Sequence, residues 1–372
     1  MTNFVTEMPR FGTFLTPTGL ESESDADWYR QMIGDAEFAA DIGYDSVWSL
    51  EHHFSDYFPV PNPMVSLGHI AARCPKLGLG TAVLVTPWHN PLRLASEIAM
   101  LTHLTDAPIR IGMGRGNAPL EYEAFGVEMG EAKERFQESW EIMQLAFSGK
   151  PFTYDGKYLK VAREVTMRPI ANRTNLTFYG AIGHPSSAEK IAELGLAPMT
   201  TAGPPFEVQR KSMRTWADTT RARGGDTNVI RANCPLVIVA DTDEEAAKLA
   251  REYVPKWYRL QQVHYAFDEV RYANVPGYAS FNDVAVRRNL YANPDNLGPL
   301  IDVNLIGSPE TVCRKAMTYV DAGFNYFILN AATPGLPQNV RQGWLRRFMT
   351  EVVPLIERGV AGQTQPARAM RA

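Results

Sequence analysis

The chain has 372 residues, 45% hydrophobic and 21% charged, enough to bury a large core in one big domain or two ordinary ones. Its 37 basic and 41 acidic residues leave a net charge of -4, which argues against a nucleic-acid or anionic-membrane partner. Cys74, Cys234 and Cys313 stand far apart, which argues against a disulfide framework or a paired zinc motif and leads us to expect a reducing, cytoplasmic setting.

In chain order, the opening residues Met1 to Glu7 carry neither a basic region nor an apolar block, so no signal peptide is expected. Strand-like runs follow at Phe11 to Leu15, Ser46 to Leu50, Leu77 to Val85, Ile109 to Gly114, Thr177 to Ile182, Ala197 to Ala202, Ile230 to Ala240 and Tyr326 to Ala331. Helical patterns separate them. Phe136, Trp140, Met143 and Phe147 keep one apolar face, as do Val340, Trp344, Phe348, Val352 and Leu355. Asn90-Pro91 and Ser308-Pro309 read as N-cap and first-turn pairs. Gly43, Gly195 and Gly323 each sit where a left-handed residue ends a helix before an apolar strand start. No run is long and apolar enough to span a membrane.

Eight strands alternating with helices predict a parallel (β/α)8 barrel, an α/β fold, rather than an open doubly wound sheet. Such a barrel needs roughly 250 residues, so insertions are expected. The main one is placed after the seventh strand at about 253–304, where Pro276-Gly277 and Asn293-Pro294 break any regular pattern. Residues 1–358 then form a single domain, and 359–372 form a disordered tail.

Chemistry concentrates where Val47-Trp48-Ser49-Leu50 runs into Glu51-His52-His53. A carboxylate beside two imidazoles can hold or release a proton near neutral pH, and strand C-termini are the catalytic rim of such barrels. The same residues could cap a helix or bridge subunits. Adjacent side chains on an extended backbone point apart, and no His-x-His or His-x-x-x-His pair occurs among the seven histidines, so no metal is expected. After the fourth strand, Gly112-Met113-Gly114-Arg115-Gly116-Asn117 lets backbone approach a ligand while a guanidinium reaches an anion, though the glycines could merely relieve crowding. The spacing is not that of a dinucleotide fingerprint. After the fifth, Gly183-His184-Pro185-Ser186-Ser187 opens a helix with free amides and hydroxyls, suited to a phosphate or to plain capping.

Trp48-Ser49-Leu50-Glu51-His52-His53-Phe54, Gly80-Thr81-Ala82-Val83, Gly112-Met113-Gly114-Arg115-Gly116 and the Ser186-Ser187 helix start occur in the order seen in bacterial luciferase-like flavin-dependent monooxygenases. The chain resembles that family, including the luciferase alpha subunit, over about residues 10 to 200 and again over 302–354. The resemblance implies that His52 is the catalytic acid/base, with His53 beside it. It implies that Arg115 contacts the FMN phosphate, that Gly183, His184 and Ser187 form the phosphate turn, and that Ala82-Val83 is a cis peptide under the flavin ring. Glu121 is placed where an acidic residue affects reduced-flavin binding, and Glu51 either orients a histidine or touches a ligand. Two departures stand out: Gly114 replaces a reactive cysteine, and Gly183 and His184 replace a glutamate and a serine. Light emission and a fatty-aldehyde substrate are therefore not expected.

The implied activity is oxygenation of a small organic substrate by reduced FMN and O2 through a flavin peroxide. With no nicotinamide fingerprint in the chain, a separate NAD(P)H:flavin reductase would supply the reduced flavin. The resemblance also implies a homodimer. A deazaflavin-dependent hydride transfer on the same barrel and a non-catalytic flavin-binding relative are the alternatives. Tyr253, Trp257, Tyr258, Tyr265, Phe267, Tyr272, Tyr278, Phe281 and Tyr291 enrich the insertion, suited to an apolar ligand or to ordinary core.

Overall fold

A computed structural model describes residues 4, 7–201, 203–267 and 272–369. In chain order its strands are β1 (Arg10–Leu15), β2 (Ser46–Ser49), β3 (Gly78–Val85) and β4 (Ile109–Gly114), then β5 (Phe152–Asp155) and β6 (Lys160–Val165). They are followed by β7 (Leu176–Ala181), β8 (Ala197–Thr201), β9 (Ala232–Cys234), β10 (Val237–Val239), β11 (Leu305–Gly307) and β12 (Tyr326–Leu329). Eight of them close a barrel in the order β1-β12-β9-β8-β7-β4-β3-β2. This is the expected α/β barrel. The antiparallel hairpin β5-β6 and the parallel pair β10-β11 stand apart from it.

The expected run Ile230 to Ala240 divides into β9 and β10 on either side of Pro235, which has no amide hydrogen to give a sheet ladder. Ala202, at the end of the sixth expected run, lies outside the described residues. Gly43, Gly195 and Gly323 all have positive φ, as the helix-ending pattern requires. Asn90 caps Pro91–Leu101 through the amides of Leu92 and Arg93, and Ser308 caps Pro309–Asp321 through Thr311. No helix among the described residues is long and apolar enough to cross a membrane.

The chain forms two compact units. One comprises Met1–Trp48, Tyr179–Trp257 and Tyr291–Ala372, and the other Ser49–Phe178 and Tyr258–Leu290. In the first, β1 pairs with β12 in the register Phe11 to Phe327 and Gly12 to Ile328. A side chain at Gly12 would meet the Trp48 indole nitrogen at 2.7 Å, so only glycine fits beside that buried ring. Toward the C-terminus, Trp344, Phe348 and Val352 are buried as expected, but a π turn at Phe348–Val352 rotates the stripe and Ile356, not Leu355, completes it. Helix Val353–Ala369 runs into the stretch expected to be disordered, and 370–372 lie outside the described residues.

In the second unit, β3 pairs with β4 in a register that shifts between Thr81 and Leu84. Helix Ala132–Phe147 buries Phe136, Trp140, Met143 and Phe147, the first three-and-four stripe read from the sequence, with Trp140 and Phe147 against the Phe178 ring. Of the expected insertion, Tyr253 falls inside helix Asp243–Tyr265. The rest comprises short turns at Tyr272–Asn274, Ala279–Phe281 and Pro294–Asn296 and the helices Asn282–Leu290 and Gly298–Val303.

Candidate active site

The site is built from the second unit alone. Glu51 follows β2 and is 1% exposed, so its carboxylate needs hydrogen-bond donors, and it has four. Oε1 accepts from Trp88 Nε1 at 3.1 Å and lies 2.7 Å from His89 Nε2 and 3.2 Å from His53 Nε2. Oε2 accepts from the Val85 amide at 2.8 Å. Burial opposes ionisation of Glu51, but the bonds from His53 and His89, the His89 charge and the Val85 amide outweigh it and hold the carboxyl down to about 2. His89 responds in the opposite sense: burial would lower it, yet Glu51 raises it above the ordinary histidine value. Glu51 therefore ties the loop after β2 to the end of β3 and contacts the rings of both His53 and His89.

Glu121 plays the same part for His52. It sits in helix Pro119–Ala124, 1% exposed, and its Oε1 accepts from the His53 amide at 2.8 Å. The same oxygen lies 3.5 Å from His52 Nδ1 and 3.4 Å from Nε2 of His264. The two imidazoles are themselves 3.2 Å apart at those nitrogens. Their outer nitrogens also have partners: His264 Nδ1 lies 2.8 Å from Ser55 Oγ, and His52 Nε2 lies 3.5 Å from the Tyr265 hydroxyl. Burial pushes His52 below the usual histidine range against the pull of Glu121, with His264 adding to the decrease. For Glu121, burial is outweighed by the contacts to His264 and His52, and its carboxyl is held at about 2.

The backbone around this cluster is strained. All three non-glycine residues of positive φ among the described residues flank it: Phe54 (62°), Phe58 (49°) and Ala266 (48°). Each costs on the order of 1–3 kcal/mol, and such strain collects at functional sites. A bridge between His52 and Val60 closes the first loop, and between its two strained residues Tyr57 lays its ring 4.7 Å from that of His52 and 5.1 Å from that of His264.

The glycine-arginine turn after β4 abuts the same elements. A Cβ at Gly114 would stand 2.6 Å from Val83 Cγ2, and one at Gly116 would stand 2.5 Å from Val85 Cγ1. Val83 thus leaves no room for a side chain at Gly114, where the resemblance implies a cysteine in relatives. The Ala82-Val83 peptide is cis. Arg115 donates from Nη1 to the Gly277 carbonyl at 3.0 Å and stacks 4.8 Å over the Tyr278 ring. Tyr272 and Tyr278 donate to the carbonyls of Asn117 and Gly116, at 2.9 and 2.7 Å. These insertion tyrosines are therefore buried supports of the turn rather than an open ligand surface.

Gly183, His184 and Ser187 belong to the other unit. There the amides of Gly183 and His184 both donate to Ser187 Oγ, at 3.1 and 3.2 Å, and the hydroxyl donates to the His184 carbonyl at 2.7 Å. This is a capping box at the start of helix Pro185–Glu193, with open space beside Gly183. Two residues of the cluster went unread in the sequence. His89 follows β3 after the short turn Thr86–Trp88, a position near a strand end that could have flagged it. His264 sits on a helix with no local signal, and only its complete burial in the fold reveals it.

Residues 8–326 match the luciferase-like monooxygenase family. The chain belongs to that family. It is 21% identical over 355 residues to the alkanal monooxygenase alpha chain of Photorhabdus luminescens, covering 94% of this chain and 97% of that one. Among solved structures it is similar to the oxygenating constituent of 3,6-diketocamphane monooxygenase from Pseudomonas putida in complex with FMN. That match has a TM-score of 0.72 and 19% identity, over 94% of this chain and 99% of that one. An F420-dependent secondary alcohol dehydrogenase, in complex with an F420-acetone adduct, matches with a TM-score of 0.72 and 17% identity, over 93% and 99%. At these identities the structural likeness speaks to the fold. Family membership supports oxygenase activity.

Proposed function

We propose that this luciferase-like monooxygenase uses reduced FMN and O2 to oxygenate a small organic substrate, the reduced flavin coming from a separate NAD(P)H:flavin reductase. The observation that carries the reading is the buried carboxylate-histidine array at the ends of β2 and β3, framed by strained loops and set in the stretch that matches the family. The donor chemistry fits a flavin phosphate. Gly277 takes one of the five N–H donors of the Arg115 guanidinium, leaving others for an anion. The amides of Gly183 and His184 already converge on a hydroxyl oxygen, a place a phosphate oxygen suits equally.

When bound, reduced FMN would supply the electrons for oxygen activation; the side chains supply binding, orientation and proton control. Arg115 would hold the phosphate, and Ala82 and Val83 would line the ring. His52 would carry a proton at Nε2, which faces the Tyr265 hydroxyl, with Glu121 fixing the ring. His53, held by Glu51, would assist. A homodimer and a cytoplasmic location belong to the same proposal.

Anaerobic titration with reduced FMN, reduced deazaflavin and oxidised FMN tests it directly. Reduced FMN should bind preferentially, and Arg115→Ala should weaken it by about tenfold or more, the loss of a charge-assisted contact. Preferential binding of the deazaflavin, or rapid NAD(P)H oxidation by the protein with FMN and no reductase, would overturn the reading. Light scattering checks the dimer.

A further inference from the structure

We infer that His52 Nδ1, Glu121 Oε1 and His264 Nε2 form a chelating site for one divalent transition-metal cation of the zinc class. The site goes beyond the flavin reading and does not depend on it. It arises from three separate segments: the loop after β2, helix Pro119–Ala124 and the last turn of helix Asp243–Tyr265.

The spacing is the first argument. The three atoms form a nearly equilateral triangle with sides of 3.2, 3.4 and 3.5 Å. Charge-assisted hydrogen bonds between an imidazole and a carboxylate close to about 2.7–2.9 Å, as His89 and Glu51 do elsewhere in this site at 2.7 Å. Neither imidazole closes on Glu121 in that way. Around a tetrahedral ion with bonds of about 2.0–2.1 Å, neighbouring donor atoms stand about 3.3–3.4 Å apart. The point in their plane equidistant from the three atoms is just under about 2 Å from each, so an ion with such bonds sits about 0.6 Å above that plane, as in a tetrahedral set with one position open.

The lone pairs point the same way. With protons on the outer nitrogens, toward Ser55 and Tyr265, two imidazole lone pairs and one on Glu121 Oε1, which already accepts the His53 amide, converge on one point, an arrangement that a metal cation or an added proton satisfies. With both protons inside, two N–H groups face each other at 3.2 Å. A mixed tautomer places one N–H between the two ring nitrogens at 3.2 Å, and neither ring then closes on the carboxylate, 3.4 and 3.5 Å away. Glu121 is 1% exposed and His264 fully buried, and among the described residues the ion-pair partners of Glu121 are these two histidines. Among the described residues no lysine or arginine forms an ion pair with Glu121. Two imidazoles and one carboxylate, each ring anchored through its far nitrogen, make a ligand set for zinc-like ions rather than for magnesium or calcium, which prefer oxygen. A bound ion would take the Nδ1 lone pair of His52 and fix a proton on Nε2, facing Tyr265, so the metal-bound and acid/base states of His52 are alternatives.

The test uses full-length protein stripped with a chelator and free of flavin, titrated with Co2+ and followed by its visible d–d absorption, then with Zn2+ by calorimetry. One equivalent should bind, Zn2+ should displace Co2+, and the midpoint of thermal unfolding should rise with added Zn2+. His264→Ala and Glu121→Gln should weaken Zn2+ binding by at least 100-fold. Ser55→Ala, which keeps all three ligands and removes only the anchor of His264, should weaken it by about 10- to 100-fold. His69→Ala, an exposed surface histidine, should leave it unchanged. Absence of stoichiometric binding by the wild type would overturn the site, as would undiminished binding by the Ser55 and His264 variants or loss of binding on replacing His69. Because flavin is absent throughout, failure here leaves the flavin titrations untouched, and the reverse holds as well.

Discussion

Replacing Glu51 by glutamine probes the carboxylate on which the site is organised. Glutamine keeps the shape but offers one acceptor oxygen and one donor nitrogen. If its oxygen takes the Oε1 place, its amide faces the Val85 N–H across 2.8 Å; if reversed, it faces Trp88, His89 and His53. Either way a buried donor loses its partner, at a cost of about 1–3 kcal/mol. The carboxyl, held at about 2 against an ordinary 4.5, favours its ionised form by about 3 kcal/mol. These two views of the same interaction agree, and E51Q should lose about 2–4 kcal/mol of stability at neutral pH. Urea unfolding followed by tryptophan fluorescence and far-UV circular dichroism measures the loss. His89→Ala and the double variant close a cycle, with an expected coupling of about 1–3 kcal/mol because the pair shares the 2.7 Å contact. A loss below about 0.5 kcal/mol, or additive effects in the cycle, would refute the assignment of Glu51 as the hub.

Two further outcomes are expected. Restoring a side chain at Gly114 as Gly114→Cys should cost about 1–3 kcal/mol, because the stiff β-branched Val83 stands 2.6 Å from the new Cβ; adding Val83→Ala should recover more than half of it in the same urea assay. Asp243→Asn should remove about 1 kcal/mol, since Asp243 accepts from the Ser308 amide and the Thr311 hydroxyl, both at 2.7 Å. Burial works against the Asp243 charge, but those bonds prevail and hold the carboxyl below its ordinary 3.8. Its contribution is therefore complete above about pH 3.8 and fades as the pH falls below that, so wild type and D243N should converge in acid melts.

The barrel strands are legible in the sequence because each is an apolar run bounded by a helix stop or a turn, and burial of such runs is a local property of the chain. The hairpin β5-β6 escapes the same reading. Its second strand, Lys160–Val165, is largely exposed and carries three charged residues, so no apolar alternation marks it. Strand β11 escapes for a different reason: three residues are shorter than any periodicity can show, and its pairing with β10 joins positions more than sixty residues apart.

The site divides along the same line. Glu51, His52 and His53 are visible because they are consecutive and end a strand, and the Gly114-Arg115-Gly116 turn is visible because glycines mark it. Nothing adjacent in sequence says that Val83 fills the space beside Gly114, or that Tyr272 and Tyr278 spend their hydroxyls on the carbonyls of that turn. Histidine spacing also misleads. The absence of local pairs argues against a shared ion for His52 and His53, and their rings do go to different carboxylates, Glu121 and Glu51. That reasoning reaches only ligands on one segment. His264, 212 positions from His52, completes a three-atom set through tertiary packing alone, so the metal question turns on the triangle of donor atoms and not on the motif.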